Sequence, residues 1–179
     1  DVYTALNQVL ASCPDYRIFG DIGCYTLGAL PPFKALASCV DMGASITMAK
    51  GAADAGLFPS VAVIGDSTFT HSGMTGLLDA VNDKSNITVV ISDNLTTGMT
   101  GGQDSAGTHK LEAICLGLGV EPEHVRTVVP LPKNMPEITR ILKEEIDYPG
   151  VSVIIPRREC IQTAARHARE ARKQKEENK

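Results

Sequence analysis

The sequence has 179 residues, 43% of them hydrophobic, and a net charge of −4. These values fit one globular domain with a buried core, and they exclude a basic protein that would bind nucleic acid or an anionic membrane through its overall charge. No apolar run reaches the roughly 18 residues of a membrane span, and the N-terminus lacks the pattern of a signal peptide. We therefore expect a cytoplasmic protein with no nucleic-acid or membrane partner.

The five cysteines are scattered and include no Cys-x-x-Cys pair. Zinc and iron–sulfur sites usually begin with such a pair, so no cluster is expected within this chain. Reduced thiols, mostly buried, are the simplest interpretation. The cysteines are Cys13, Cys24, Cys39, Cys115 and Cys160.

The first part of the chain predicts a helix, a strand and a second helix. Residues 1–17 favour a short helix that ends at a Cys-Pro-Asp turn, and residues 17–22 favour a strand. Residues 23–28 then form a glycine-bounded loop at the C-terminal end of that strand, for which a plain surface turn is the alternative. Small residues dominate residues 43–56 and predict a helix that can approach a sheet closely.

The central part of the chain predicts one βαβ unit. Two apolar runs, Val61 to Ile64 and Ile87 to Ile91, flank residues 73–84, which are predicted to be a helix because their apolar residues have helical spacing. Each run ends in polar residues, and parallel strands place such ends at one edge of the sheet, where ligands bind. Asp66 and Asn94 are then expected to reach one ion, and oxygen ligands of this kind suit Mg²⁺.

The alternation of strands and helices continues to the end of the apolar sequence. Residues 105–119 predict a loop and a helix, residues 125–131 a strand, residues 135–146 a helix and residues 151–155 a buried strand. The predicted fold is α/β, a doubly wound, mostly parallel sheet with helices on both faces. We assign residues 1–156 to this domain and residues 157–179 to a charged C-terminal helix or linker, since an RNA contact is poorly supported there.

Three motifs at characteristic intervals resemble a known family. Gly65-Asp66-Ser67 is followed after 25 residues by Asp93-Asn94, then by residues 97–103, Thr-Gly-Met-Thr-Gly-Gly-Gln, and residues 20–28 read Gly-Asp-Ile-Gly-Cys-Tyr-Thr-Leu-Gly. Over residues 18–156 the chain resembles the thiamine-diphosphate-binding domains of 2-oxoacid:ferredoxin oxidoreductases. Among these it is most similar to the alpha subunits of indolepyruvate:ferredoxin oxidoreductases.

The resemblance implies thiamine diphosphate and Mg²⁺ as cofactors. It assigns the metal to the Asp66 carboxylate, the Asn94 amide oxygen and the Thr96 carbonyl. Alternatives from the residues themselves are a helix N-cap for Asp66, core packing for Met99, and a structural role rather than proton transfer for His71. The full set of cofactor-binding residues that the resemblance implies is Gly23, Cys24, Met42, Gly43, Gly65, Asp66, Ser67, Asn94, Thr96, Thr97, Gly98 and Met99.

The resemblance also implies a reaction and partners. The reaction is oxidative decarboxylation of an aryl 2-oxoacid, with coenzyme A as acyl acceptor and ferredoxin as electron acceptor. A pyrimidine-binding domain, a ferredoxin-like domain with iron–sulfur clusters and a beta subunit are expected as partners, and a homo-oligomer is expected. The chain contains no candidate for the glutamate that activates the cofactor, so alone it should turn over little substrate.

Two other functions compete with this one. A non-oxidative thiamine-dependent decarboxylase or an acetolactate-synthase-like enzyme would use Asp66 and Asn94 in the same way, and only the segments 20–28 and 97–103 argue against it. A phosphate-binding or receiver-type signalling module could use Asp66 as an acceptor, but it would need a lysine after a late strand. Lys133 follows a proline there and fits poorly.

Overall fold

The computed structural model describes residues 1–160, 163–165 and 169, except for the side chain of Met99. The helices in chain order are α1 (Val2–Leu10), α2 (Ala44–Asp54), α3 (Asp66–Thr68), α4 (Met74–Asn82), α5 (Leu111–Gly117) and α6 (Met135–Asp147). The strands are β1 (Arg17–Gly20), β2 (Ser38–Cys39), β3 (Ser60–Gly65), β4 (Ile87–Ser92), β5 (Val125–Val128) and β6 (Val151–Pro156).

The six strands form one sheet in the order β2-β1-β3-β4-β6-β5, and every neighbouring pair is parallel. The predicted α/β fold is confirmed, and the sheet is fully parallel within the described residues. Strands β3 and β4 are direct neighbours, with Gly65 opposite Ser92 at their C-terminal ends. The register therefore brings the residues that follow both strands to the same level of the sheet edge.

Two apolar cores explain why helices cover both faces of the sheet. On β3, Ala62 and Ile64 face a core shared with α2, α4 and α5. Val61 and Val63 face the other core, which is shared with α1 and α6. This alternation follows from the two-residue period of a strand. Burial on both faces also accounts for the nearly continuous apolar sequences of β3, β4 and β6.

The structure corrects the predicted elements in three places. Residues 24–29, which overlap the predicted loop 23–28, form a 3₁₀-helix, because the Thr26 hydroxyl accepts from the Gly23 amide and donates to the Asp21 carbonyl. The helix predicted from residue 73 follows a helical turn that begins at Asp66 and a π-helical turn, Phe69–Gly73. Strand β2 was not predicted, since two residues are too short to show a period.

The chain beyond β6 remains in contact with the domain. The Arg157 amide donates to the Val128 carbonyl, and the Arg158 amide to the Asp93 carbonyl. Most of the predicted C-terminal helix or linker, residues 157–179, lies outside the described residues. Within the described part of the chain, no helix combines the length and apolarity needed to cross a membrane.

Candidate functional site

A cavity of about 240 Å³ opens at the carboxyl edge of the sheet, around the ends of β3 and β4. Its walls come from four segments: the 3₁₀-helix after β1, the entry to α2, the β3–α3 junction and the loop after β4. The residues that line it are Ile22, Gly23, Cys24, Tyr25, Met42, Gly65, Asp66, Ser67, Thr68, Ser92, Asn94, Thr96, Thr97, Gly98 and Thr100.

Asp66 is the most unusual residue of this cavity. Its side chain is 3% exposed, and its Oδ2 atom has no hydrogen-bond partner, while Oδ1 accepts from the Ser67 amide at 2.6 Å. Burial, followed by the charge of Asp93, raises the pKa of Asp66 to about 6. An unsatisfied buried oxygen costs about 1–3 kcal/mol, so a cation at Oδ2 would relieve a penalty that the fold otherwise bears.

The loop after β4 is shaped by its own side chains. The Asn94 Oδ1 atom accepts from the Thr96 amide at 3.1 Å, and the Thr96 hydroxyl donates to the Gln103 carbonyl at 3.0 Å. The first contact is an Asx turn, which asparagine favours because its side chain can replace a backbone acceptor. An amide oxygen has a second lone pair, so this contact leaves Asn94 able to bind a cation as well.

Small and hydroxyl residues complete the polar wall. The hydroxyls of Ser67 and Thr97 lie 2.8 Å apart and join the two strand ends. Position 65 favours glycine because a Cβ there would lie 2.7 Å from the ring of Tyr25. The sequence alone does not reveal this contact. At Gly98 a Cβ would make only an ordinary contact, 3.6 Å from the Cys24 sulfur.

Asp21 supports this wall and was not predicted as a site residue. It is completely buried, and its Oδ2 accepts from the Gly43 amide at 3.0 Å and from the Ser45 hydroxyl at 2.8 Å, while Oδ1 accepts from the Tyr25 hydroxyl. Asp21 thus ties the start of α2 to Tyr25. One available signal is that Asp21 follows β1 directly, as Asp66 follows the adjacent β3.

The structure brings together ten of the twelve predicted cofactor-binding residues around the cavity, and the remaining two differ. Gly43 does not line it, and its amide donates to Asp21. The side chain of Met99 is outside the described part of the structure. The other lining residues are Ile22, Tyr25 and Thr100, which lie within the motifs at residues 20–28 and 97–103, and Thr68 and Ser92, which were not predicted.

None of the three histidines in the described part of the chain lines this cavity. His71 is exposed, with its Nδ1 atom 3.1 Å from the Ser72 hydroxyl, and His109 is an exposed residue at a φ of 60°. His124 pairs with Glu145 at the opposite edge of the sheet. His71 contacts Ser72, whose hydroxyl donates to the carbonyl of the lining residue Met42, but His71 itself does not line the cavity.

The charge of the cavity fits a cation-bound anion. Among the described lining residues none is basic, and Asp66 is the only ionisable carboxylate. A diphosphate would meet no compensating positive side chain, so it needs a metal ion to neutralise part of its charge. Asp66 Oδ2 and the Asn94 amide oxygen are hard ligands of the type that Mg²⁺ takes. The residues present therefore fit a magnesium-bound diphosphate.

Comparison with known proteins identifies the family. Residues 21–155 match the family described as "Thiamine pyrophosphate enzyme, C-terminal TPP binding domain". This chain belongs to that family. The predicted relationship to thiamine-dependent enzymes is thereby confirmed, and the carboxyl-edge cavity is the natural candidate for the binding site of this thiamine pyrophosphate (TPP)-binding domain.

Two relatives with assigned names indicate which thiamine-dependent enzymes this domain is similar to. The domain is 35% identical over 169 residues to the indolepyruvate oxidoreductase subunit IorA of Archaeoglobus fulgidus. The alignment covers 88% of this chain and 26% of that protein. It is 38% identical over 152 residues to the IorA subunit of Methanothermobacter thermautotrophicus, covering 79% of this chain and 24% of that protein. The chain thus spans about a quarter of the length of these relatives.

Solved structures share the fold at low sequence identity. A 2-oxoglutarate:ferredoxin oxidoreductase from Magnetococcus marinus matches with a TM-score of 0.70 and 16% identity, over 89% of this chain and 60% of that one. A thiamine diphosphate-dependent 4-hydroxybenzoylformate decarboxylase from Rhodococcus jostii RHA1 matches with a TM-score of 0.61 and 22% identity, over 89% and 32%. Both similarities concern the fold alone.

Proposed function

We propose that this TPP-binding domain holds the magnesium and diphosphate of thiamine diphosphate in a 2-oxoacid:ferredoxin oxidoreductase. The observation that carries the proposal is the buried, unpartnered Oδ2 atom of Asp66 on a cavity that Asn94 and Thr96 also line. Asp66, Asn94 and the Thr96 carbonyl are the proposed metal ligands. A receiver-type module is set aside, because membership of a TPP-binding family accounts for the same acidic edge.

The oxidative reaction is favoured over a non-oxidative decarboxylation by the relatives. The curated ones are named indolepyruvate oxidoreductase subunits, at 34–38% identity, whereas the decarboxylase shares only the fold. We propose an aryl 2-oxoacid such as indolepyruvate as substrate, coenzyme A as acyl acceptor and ferredoxin as electron acceptor. The iron–sulfur clusters would belong to other domains or a beta subunit. The cytoplasm is the proposed location.

The side chains of the cavity have separate tasks in this proposal. Asp66 and Asn94 hold the ion. The hydroxyls of Ser67 and Thr97 lie 2.8 Å apart, so one donates to the other and the second is proposed to donate to the diphosphate. Gly23, Cys24, Met42, Gly98 and Met99 are proposed to contact the rest of the cofactor, while Gly43 fixes the entry of α2 through Asp21. When bound, the cofactor supplies the electron sink for decarboxylation, and the domain supplies its position.

An exposed apolar rim beside the cavity supports a partner domain. Ile22, Leu27, Leu30, Val40 and Met42 are between 39% and 67% exposed, and Ile22 and Met42 also line the cavity. Exposed large apolar residues on segments that border a cavity are typical of a protein interface. We propose that the pyrimidine-binding domain, of this enzyme or of a second copy in a homo-oligomer, covers this rim and supplies the activating glutamate.

Calorimetric titration with thiamine diphosphate and Mg²⁺ tests the proposal. The unaltered chain should bind both, and Asp66→Ala should weaken binding about a hundredfold or more, since the metal loses its one charged ligand. Asp15→Ala, an exposed carboxylate near the N-terminal turn, is the matched control and should bind normally.

Binding of equal strength by the unaltered chain and Asp66→Ala, or by neither, would contradict the site assignment. Oxidation of a 2-oxoacid by the isolated chain is a separate check. Because no activating glutamate is present at the cavity among the described residues, turnover should be negligible, and clear activity would refute the proposed need for a partner domain.

A further inference from the structure

Three adjacent strand ends carry two negative charges and one positive charge. Asp66 follows β3, Asp93 follows the neighbouring β4, and Arg157 follows β6, which is the next strand of the sheet. Gly65 lies opposite Ser92, and Asp93 forms a parallel bridge with Arg157. All three residues therefore stand side by side at the carboxyl edge, although Arg157 lies beyond the domain boundary that the sequence indicated.

Asp93 differs from Asp66 in having both carboxylate oxygens occupied. It is 2% exposed, its Oδ2 lies 2.5 Å from the Arg157 Nε, and its Oδ1 accepts from the Leu95 amide at 3.2 Å. The backbone is held as well, because the Asp93 amide donates to the Pro156 carbonyl and the Arg158 amide donates to the Asp93 carbonyl. Asp93 does not line the cavity, whereas both of its neighbours, Ser92 and Asn94, do.

Arg157 is itself fixed from the opposite side. Its Nη1 and Nη2 atoms lie 2.8 and 2.9 Å from the two carboxylate oxygens of Glu112 on α5. This fork-to-fork pairing sets the plane of the guanidinium and leaves Nε directed at Asp93. Glu112 also accepts from the Thr127 hydroxyl at 2.9 Å, so the clamp is anchored in β5. Arg157 lowers the pKa of Glu112 to about 2.

We propose that Arg157 is a positioning residue that keeps Asp93 out of the metal's coordination shell, so that the site binds a divalent cation together with diphosphate and poorly without it. The inference rests on the proposed magnesium site. One carboxylate, Asp66, leaves Mg²⁺ with a net positive charge that attracts the diphosphate. Two adjacent carboxylates would cancel that charge, strengthening the binding of bare metal and weakening the binding of the anion.

A purely structural role for Arg157 makes the opposite prediction for bare metal. If the clamp only stabilised the loop, its removal would loosen Asp66 and Asn94 and weaken metal binding with and without diphosphate. The proposed role changes the two affinities in opposite directions. The ratio of the two affinities therefore separates positioning from general support.

The test is a pair of titrations on the 179-residue chain: Mn²⁺ alone, followed by electron paramagnetic resonance of the free ion, and thiamine diphosphate at saturating Mg²⁺, followed by calorimetry. In Arg157→Met we expect Mn²⁺ alone to bind about tenfold more tightly and thiamine diphosphate about tenfold more weakly. Arg157→Lys keeps the positive charge but has no planar fork to hold Glu112 and Asp93 together, so it should show both changes in the same directions but smaller, about threefold each.

Arg158→Met is the matched control. The side chain of Arg158 points elsewhere, with Nη1 3.5 Å from the Pro130 carbonyl and 4.0 Å from the Asp1 carboxylate. Both affinities should be unchanged in this variant. The double variant Asp93→Asn/Arg157→Met should return the affinity for bare Mn²⁺ to the unaltered value, because the released carboxylate is gone.

Asp93→Asn alone provides a second test if Arg157→Met does not fold. With Asp93 held away from the metal, this variant should bind bare Mn²⁺ within about threefold of the unaltered chain. A larger loss would make Asp93 a ligand and overturn the proposal, as would equal weakening of both affinities in Arg157→Met. Failure of the unaltered chain to bind thiamine diphosphate would overturn the proposed function as well, which distinguishes the two outcomes.

Discussion

Two buried carboxylates at opposite edges of the sheet have opposite surroundings. Glu145, on α6 near the starts of β5 and β6, is 2% exposed, and its two oxygens lie 2.8 Å from the His124 Nδ1 and 3.2 Å from the Arg126 Nη1. Asp66, at the carboxyl edge, is 3% exposed and has one oxygen with no partner. Burial is therefore alike, and the difference lies in whether the fold satisfies the charge.

The difference distinguishes a structural carboxylate from the one proposed to bind a metal ion. Around Glu145, His124 also stacks on Tyr148 with ring centroids 3.4 Å apart, and the hydroxyls of Thr88 and Ser152 donate to the Glu145 carbonyl. This cluster joins α6 to β4, β5 and β6. At Asp66 the fold leaves an oxygen unpaired beside a cavity, at a cost in stability that a bound cation would remove.

The largest effect on stability is expected from the structural carboxylate. Glu145→Gln removes the buried carboxylate that pairs with Arg126 and contacts His124, and we expect it to lower the free energy of unfolding by about 3 kcal/mol. Urea denaturation measures this. Glu144→Gln is the control, because Glu144 pairs with Arg140 on the exposed face of the same helix and should contribute less than about 0.5 kcal/mol. Equal effects of the two substitutions would show that Glu145 contributes no more to stability than an exposed ion pair.

Replacing Asp66 at the carboxyl edge should change the free energy of unfolding by less than Glu145→Gln does, and in the opposite direction. Without metal or cofactor at pH 7, Asp66→Asn should raise the free energy of unfolding by about 1–2 kcal/mol, because it removes a buried charge that the fold does not satisfy. The exposed Asp15→Asn should change it by less than about 0.5 kcal/mol. Destabilisation by Asp66→Asn would show that Asp66 is structural, like Glu145.

The pH dependence of that gain follows from the direction of the pKa shift. The pKa of Asp66 is raised from 3.8 to about 6, so the penalty of the charged form is absent below about pH 4, grows between about pH 4 and 6, and is complete above that range. The increase in the free energy of unfolding caused by Asp66→Asn should therefore grow between about pH 4 and 6. Urea denaturation of both proteins at each pH measures it. An advantage that is independent of pH would show that ionisation of Asp66 is not its cause.

The sequence was sufficient to predict the fold and the meeting of Asp66 and Asn94 at one edge of the sheet. Continuous apolar runs with helical segments between them were enough to predict the parallel sheet, because each signal is local. Asp66 and Asn94 were found because two strands adjacent in sequence are also adjacent in the sheet, so both polar ends fall at one edge. In this βαβ unit, strands that are consecutive in the sequence are also neighbours in the sheet.

The supporting residues could not be predicted for the opposite reason. Arg157 reaches Asp93 only because β6 inserts beside β4, a sheet order that no local pattern reveals. Asp21 belongs to a recognised motif, but its buried contacts with Gly43, Ser45 and Tyr25 depend on how α2 enters the fold. The π-helical turn after Asp66 also lacks a periodic signal. Tertiary contacts decide all three features.

The most direct measurement is a crystal structure of the chain with Mg²⁺ and thiamine diphosphate bound. We expect the ion between β3 and β4, with the Asp66 Oδ2 and Asn94 Oδ1 atoms each about 2.1 Å from it, and with Asp93 still paired to Arg157. The diphosphate should lie against Ser67 and Thr97. An ion or diphosphate bound elsewhere, or an Asp66 side chain turned away from the metal, would contradict the account.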